Sequence, residues 1–210
     1  MVFSARVPDS KIADEVTELA RREYPSFLFN HCMRTFWFAD AIAVNGSLFD
    51  REIVYVAAIL HDLGILEQYD RGRRFEVDGA QVARDFLLGR AYPLGKANLV
   101  WDAIALHTSV GIAAYWKAPE VVLVHLGALA DVVGQRIVDL DPGFVRELIE
   151  EFPRLDFPNE WLRRLIEQVR RKPALACGTY LGHVGREHVP GFMCPSVAEG
   201  LNNNPLDAEV

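Results

Sequence analysis

The sequence has few cysteines and no long apolar run. Its 210 residues include three cysteines, an odd number that lacks the spacing of a disulfide framework. No apolar stretch approaches the roughly 20 residues needed to cross a bilayer. The first residues also lack the basic and apolar regions of a secretory signal. We therefore expect no membrane span, and we predict a cytoplasmic protein with reduced thiols.

Basic charge is also scarce. The chain has 22 Lys and Arg residues against 29 Asp and Glu residues, so its formal net charge is −7. Nucleic-acid-binding proteins carry a basic stripe that meets the phosphate backbone. The longest basic cluster here is Arg71, Arg73 and Arg74, which is too short for that purpose. We expect a small-molecule substrate and no nucleic-acid partner.

Helical periodicity is what the sequence does have, almost from end to end. Half of the residues are hydrophobic, which is enough for a sizeable core. With no run of alternating strands, the pattern predicts an all-α fold, a compact helical bundle. It divides the chain into an N-terminal helix at 1–25, a core at 26–135, accessory helices at 136–172 and a Gly- and Pro-rich tail at 173–210.

Several element boundaries can be predicted from local signals. Asp50 is a suitable cap for a helix that ends at Gly64 and is apolar on nearly all sides, so this helix should be central. Another apolar helix ends near Gly134, a residue suited to a left-handed helix end. The polar stretch at 67–78 is expected to be a loop, followed by a helix from about Gly79 to Leu88.

Polar residues at the ends of apolar helices are the candidates for chemistry. His61 and Asp62 are adjacent at the end of the most apolar helix, His31 lies inside a second one, and Asp131 ends a third. Burying these groups is unfavourable unless they are paired or bound to a cation. A lone His-Asp pair can be a satisfied hydrogen bond in a core. Two imidazoles and two carboxylates together instead suit one divalent ion, with zinc first and iron, manganese, cobalt or nickel as alternatives.

The order of these residues resembles that of a known family. His31, then the run Ile59-Leu60-His61-Asp62-Leu63-Gly64, then Ala130-Asp131, is similar to the HD-domain superfamily of metal-dependent phosphohydrolases and related enzymes. The resemblance covers roughly residues 26–135. It implies a five-helix core of the HD type and a metal held by His31, His61, Asp62 and Asp131.

Two further segments resemble the cyanamide-hydratase-like branch of that superfamily. They are Arg74-Phe75-Glu76 with Asp78-Gly79-Ala80, and Ala105-Leu106-His107-Thr108. If a bound metal activates water, Glu76 and His107 are the candidates to shuttle a proton or polarise the substrate, and Asp62 is the candidate for both ligand and proton acceptor. Val132 stands where the hydratases tend to carry Asn, which removes a polar substrate contact.

The leading hypothesis is that a metal-activated water hydrates a nitrile-type group or hydrolyses a related bond. The alternative is an HD phosphohydrolase acting on a nucleotide or another phosphomonoester. That reaction needs fixed cations, so it is favoured if Arg34 and the arginines at 71–74 point into the cavity. Oxidative chemistry would need extra histidines, and His125 is poorly placed to be one. A structural or absent metal is the non-enzymatic alternative.

The surroundings of the site can also be predicted in part. We expect a small apolar pocket near Phe29, Trp37 and Phe75. His125 should line this pocket or make a hydrogen bond in the core, because it does not share a helix face with Asp131. The amphipathic helices after Asp141 are suited either to covering the core or to forming a homo-oligomer surface.

Overall fold

The structure is a computed structural model that describes residues 3–43, 48–116 and 118–207. Over these ranges the chain forms helices and no strand, which confirms the all-α prediction. Short 3-10 segments connect the α-helices. The α-helices are α1 (Lys11–Glu23), α2 (Ser26–Ile42), α3 (Arg51–Leu60), α4 (Phe75–Leu88), α5 (Leu94–Leu106), α6 (Pro119–Val133), α7 (Pro142–Glu151), α8 (Phe157–Arg171), α9 (Pro173–Ala176), α10 (Leu181–His188) and α11 (Val197–Asn202).

The chain forms two compact units, residues 1–160 and residues 161–210. Helix α3 lies at the centre of the first unit. The side chain of Asp50 accepts hydrogen bonds from the backbone N–H groups of Glu52 and Ile53, at 3.0 and 3.3 Å, and so caps the helix as predicted. Every residue from Ile53 to Leu60 is buried. The helix ends at Leu60, earlier than Gly64, so His61 and Asp62 follow its last turn and lie inside the core.

Helices α2 and α6 pack with their backbones in close contact. A Cβ atom on Gly127 would lie 2.2 Å from the carbonyl oxygen of Thr35, so only glycine permits this separation. Helix α6 ends at Gly134, which has the left-handed conformation expected from the sequence (φ 75°). The close packing brings Asp131 on α6 next to His31 on α2.

Helix α4 begins earlier than the sequence indicated. It starts at Phe75 rather than near Gly79, so Glu76 lies in the first helical turn and not in a loop. Acidic side chains in a first turn stabilise the helix through its dipole. The deciding contact is tertiary, because a Cβ atom on Gly64 would lie 1.9 Å from the carbonyl oxygen of Phe75. Gly64 thus lets the start of α4 pack directly against the chain after the His-Asp pair.

The unit at 161–210 contains a disulfide, contrary to the expectation of reduced thiols. Cys177 and Cys194 are bonded and their Cα atoms are 5.4 Å apart, whereas Cys32 is free and buried. No local signal predicts this pairing, because the two cysteines meet only when the chain after α10 folds back. In this unit the ring of Phe192 packs against the Cα of Gly185. Among the described helices, none is both long and apolar enough to cross a bilayer.

Candidate metal centre

Three donor side chains meet at the end of α3. The Nε2 atom of His31 lies 3.2 Å from Nε2 of His61. One carboxylate oxygen of Asp62, Oδ2, is 3.1 Å from His61 Nε2 and 3.4 Å from His31 Nε2. These side chains are at most 1% exposed. Their donor atoms all lie within 4.8 Å of one another, a separation that one metal ion could bridge.

The other nitrogen of each ring explains why Nε2 faces the cluster. Nδ1 of His61 lies 2.7 Å from the carbonyl oxygen of Ala58, which can only accept, so Nδ1 carries the proton. Nδ1 of His31 lies 2.6 Å from Oδ2 of Asp131 and donates to that carboxylate. Each neutral ring therefore directs an Nε2 lone pair at the other ring and at Asp62. Such an arrangement is repulsive without a proton or a cation between the groups.

Asp131 reaches this cluster through His31. Its carboxylate also accepts two hydrogen bonds from the buried Arg34, from Nε at 2.6 Å and from Nη2 at 2.8 Å. This is the carboxylate–histidine pairing that orients many metal ligands. The structure thus brings Asp131 against His31 Nδ1, while direct ligation by Asp131 stays a prediction.

The electrostatic environment of the cluster favours a positive charge among its side chains. Burial disfavours the charged form of His61, but Asp62 outweighs this and raises the pKa of His61 to about 10. Burial also acts to raise the pKa of Asp62, yet His61 and His31 hold it well below its usual range. The pKa of His31 is raised by Asp131 and Asp62 despite its burial. A proton on the ring nitrogens here stands in for the charge of a cation.

His107 and Glu76 lie beside the cluster. Nδ1 of His107 donates to the carbonyl oxygen of Ile104 at 2.6 Å, and its Nε2 is 3.7 Å from Oδ1 of Asp62. Burial, together with the charge on His61, lowers the pKa of His107 to about 4. Oε1 of Glu76 accepts from Thr108 at 2.5 Å.

The buried carboxylate of Glu76 is also paired with an arginine. Nη2 of Arg74 lies 2.6 Å from Glu76 Oε1. Burial acts to raise the pKa of Glu76, but Arg74 outweighs it and leaves this pKa below its usual range. His107 adds to the same effect, so Glu76 and His107 interact electrostatically. Glu76 is therefore a buried, charged group and not a solvated loop residue.

The arginines that could mark a phosphate site have other partners. Arg34 is fully buried, and its Nη1 donates to the carbonyl oxygen of Phe152 in addition to the two bonds to Asp131. Arg71 and Arg73 are exposed on the loop before α4, and Arg73 is ion-paired with Asp78. Arg74 is the member of the group that lies beside the site.

The structure places the four residues predicted to surround the site in different environments. Phe75 lies against His107, with ring centroids 5.8 Å apart. Trp37 instead packs on Phe3 and Phe36, and Phe29 lies under the guanidinium of Arg21. His125 makes the expected core hydrogen bond, since its Nδ1 donates to the carbonyl oxygen of His107 at 2.7 Å.

Sequence reasoning missed two residues of the site. Arg154 donates from Nη1 to the carbonyl oxygen of Asp131 at 2.6 Å and to its Oδ1 at 3.1 Å. The ring of Phe157 lies 4.8 Å from that of His31, centroid to centroid. Both follow α7, more than 20 positions after the last predicted ligand. No local motif marks them, and an aromatic residue at a helix start is an ordinary core signal.

The donor set fits a divalent cation. With both imidazole rings neutral, the two buried oxygens of Asp62 accept no hydrogen bond from a described donor. A buried carboxylate without hydrogen bonds is strongly unfavourable unless a cation is bound to it. Two imidazole nitrogens and a carboxylate oxygen are the ligands typical of zinc and other first-row divalent metals.

Comparison with known proteins identifies relatives of this chain. The chain is similar to cyanamide hydratases DDI2 and DDI3 of Saccharomyces cerevisiae, with 26% identity over 172 residues in each case, 79% of this chain and 76% of theirs. It is also 28% identical over 87 residues to an uncharacterized protein of Clostridium beijerinckii, covering 41% of this chain and 55% of that one. Residues 28–140, more than half of the chain, match the HD domain family. The chain therefore belongs to the HD-domain family.

Proposed function

We propose that this protein is a metal-dependent hydratase that adds water to the C≡N group of a small, uncharged substrate such as cyanamide. The observation that carries the proposal is the closure of the site. His31, His61, Asp62, Glu76 and His107 are at most 4% exposed. A site so enclosed suits a molecule of a few atoms and disfavours a nucleotide. The yeast relatives are cyanamide hydratases, which supports the same class of substrate.

The existing partners of the arginines support hydration over phosphoester hydrolysis. A phosphate dianion needs fixed cations or N–H donors directed at its oxygens. Arg34 donates to Asp131 and to backbone carbonyls, and Arg74 is paired with Glu76. Binding a dianion beside these carboxylates would require breaking such pairs.

His31, His61 and Asp62 would hold the ion, with Asp131 as a fourth ligand or as the carboxylate that orients His31. Zinc is our first choice, with iron, manganese, cobalt or nickel as alternatives. When bound, a divalent ion acidifies water and polarises an electrophile. These protein groups would keep the ion away from bulk solvent, and Asp62 would contribute the negative charge that binds it.

His107 is suited to moving the proton. Because Nδ1 donates to Ile104, the neutral ring has its lone pair on Nε2, which faces Asp62. A pKa of about 4 keeps the ring neutral near pH 7, so the Nε2 lone pair carries no proton before the reaction. Hydration forms a C–O bond and transfers both water protons to nitrogen, so that cyanamide becomes urea. His107 would take the first proton and return it to the substrate nitrogen.

Glu76 would support this proton transfer without taking part in it directly. Its carboxylate stays charged, and its negative charge stabilises the protonated form of His107 during the transfer. Thr108 and Arg74 hold Oε1 in place, so the carboxylate is preorganised. We therefore assign Glu76 a role in positioning and His107 a role in proton transfer.

The test is product formation by purified protein supplied with zinc. Urea release from cyanamide and phosphate release from p-nitrophenyl phosphate and nucleoside monophosphates are measured in parallel, for the wild type and for His61→Ala. We expect urea release that is at least 100-fold weaker in His61→Ala, because one ligand is removed. Phosphate release that is lost in the same variant, without urea release, would replace the hydratase proposal with the phosphohydrolase alternative.

A further inference from the structure

The segment 152–157 lies outside the region that matches the HD family, yet it contacts the candidate metal centre. The family match ends at residue 140, whereas this segment joins α7 to α8. It contacts Asp131 through Arg154 and His31 through Phe157. Its contacts are made by side chains and by backbone carbonyl groups, and they converge on one pair of residues.

Backbone carbonyl groups of the segment hold Arg34. Nη1 of Arg34 donates to the carbonyl oxygens of Phe152 at 2.9 Å and Pro153 at 3.2 Å. The Pro153 carbonyl also accepts from Nδ2 of Asn30 at 2.8 Å. Because Arg34 binds both oxygens of Asp131, the segment fixes the plane of that carboxylate through Arg34.

Arg154 makes the direct contact. Its Nη1 donates both to the backbone carbonyl and to Oδ1 of Asp131. A side chain bound to the main chain and the carboxylate of one residue restricts rotation of that residue. The other carboxylate oxygen, Oδ2, accepts the Nδ1 proton of His31 and so keeps Nε2 directed at His61.

Phe157 covers the imidazole itself. Its ring is 4.8 Å from the ring of His31 with an angle of 30° between their planes, and the guanidinium of Arg154 lies 5.0 Å from the centre of the same ring. Phe157 is 1% exposed. Leu155, between these two residues, has a left-handed backbone (φ 53°), a conformation that persists only where surrounding contacts enforce it.

From these contacts we infer that Arg154 and Phe157 are positioning residues for the metal centre, with Arg154 acting through Asp131 and His31. The segment 152–157 is thus an addition to the HD core that raises the affinity of the site for its ion. The inference rests on the metal site of the proposed function, but it does not depend on the substrate. Its measurement is therefore metal binding and not turnover.

The experiment measures zinc affinity by competition with a chelator and records the visible spectrum of the cobalt-substituted protein. The variants of the full chain are Arg154→Gln, Arg154→Lys and Phe157→Leu. Removing a residue that orients a ligand typically weakens metal affinity about 10- to 100-fold. We expect a loss in that range and an altered cobalt spectrum for Arg154→Gln, a smaller loss for Phe157→Leu, and partial recovery in Arg154→Lys.

Arg136→Gln is the matched control. The Arg136 side chain is 43% exposed and pairs with Asp139, whereas the Arg154 side chain is 35% exposed. Zinc affinity and the cobalt spectrum should be unchanged in this control. Circular dichroism of each variant establishes that it is folded, and if Arg154→Gln does not fold, Arg154→Lys and Phe157→Leu provide the test.

Some results would contradict the positioning role of Arg154, the proposed reaction, or both. Arg154→Gln with the affinity and spectrum of the wild type, or a loss equal to that in Arg136→Gln, would overturn the positioning role. Wild-type protein that binds zinc but forms no urea would contradict the proposed reaction and leave this inference intact. Wild-type protein that binds no zinc would overturn both.

Discussion

At the scale of single residues, the centre depends on which ring nitrogen carries a proton. His61 donates from Nδ1 to Ala58, and His31 donates from Nδ1 to Asp131. Both Nε2 lone pairs then point at Asp62, whose oxygens accept no hydrogen bond from a described donor. Without a cation these three groups must bind protons, so the protonation of the site depends on pH.

This coupling gives a prediction for the metal-free protein. The pKa of His61 is about 10 when folded and about 6.5 when unfolded. The folded state therefore binds more protons than the unfolded state between these values. The stabilisation is complete below about pH 6.5 and is lost as the pH rises toward 10. We expect the free energy of unfolding, measured with urea, to fall over this interval.

The zinc-bound protein is the comparison for that measurement. A bound ion takes the place of the proton, so the decline above pH 6.5 should be smaller or absent with zinc present. Zinc affinity should correspondingly rise with pH over the same interval. A metal-free protein whose stability rises between pH 6.5 and 10 would contradict the raised pKa of His61.

At the scale of elements, two glycines set the distances between the helices that carry the site. Gly127 lets α6 approach α2, which brings Asp131 to His31. Gly64 lets the start of α4 contact the chain after Asp62, which brings Glu76 into the core. Each glycine is required by a close approach of backbones, because a side chain would overlap a carbonyl oxygen.

Substitution of Gly64 tests the second contact. In Gly64→Ala the new Cβ would meet the carbonyl oxygen of Phe75 at 1.9 Å, so α4 must move. Overpacking of this kind destabilises by about 1–3 kcal/mol. We expect the free energy of unfolding, measured by urea denaturation, to fall by at least that amount. Formation of urea from cyanamide should also be slower, because Glu76 moves with α4.

Gly95→Ala is the matched control for this substitution. Gly95 lies in α5, and apart from its chain neighbours and the backbone of its own helix, no described atom lies within 4 Å of the position of its Cβ. Replacing a helical glycine by alanine stabilises by roughly 0.5–1 kcal/mol. Equal effects of the two substitutions would show that close packing at Gly64 is unimportant.

At the scale of the whole molecule, the two compact units differ in how they are held together. The unit at 1–160 has a buried core around α3. The unit at 161–210 is crossed by the disulfide between Cys177 and Cys194, which are 17 positions apart. Closing a loop of about this length stabilises by roughly 3 kcal/mol in the chain-entropy description.

Limited proteolysis can test the contribution of this disulfide. Arg186 is exposed on α10, inside the loop that the disulfide closes. We expect trypsin to cleave after Arg186 several-fold faster once a reductant is added, because the loop can then unfold locally. The variant Cys177→Ser should be cleaved rapidly without reductant and should not respond to it. Cleavage at the same rate in all samples would contradict a stabilising role.

Much of the fold follows from local sequence. The helical periodicity, the cap at Asp50 and the left-handed end at Gly134 act within a few residues, so they could be predicted one element at a time. An apolar helix that ends in His61 and Asp62 likewise indicates a buried polar site, because such groups require compensation wherever the helix packs.

The remaining features were decided by the tertiary structure. The burial of Glu76 depends on the contact of Gly64 with α4, and the bonds from Arg34 and Arg154 to Asp131 join residues about 97 and 23 positions away from it. The pairing of Cys177 with Cys194 depends on how the chain folds back. A sequence records which groups need a partner, whereas the partner itself is determined by distances that exist only after the helices have packed.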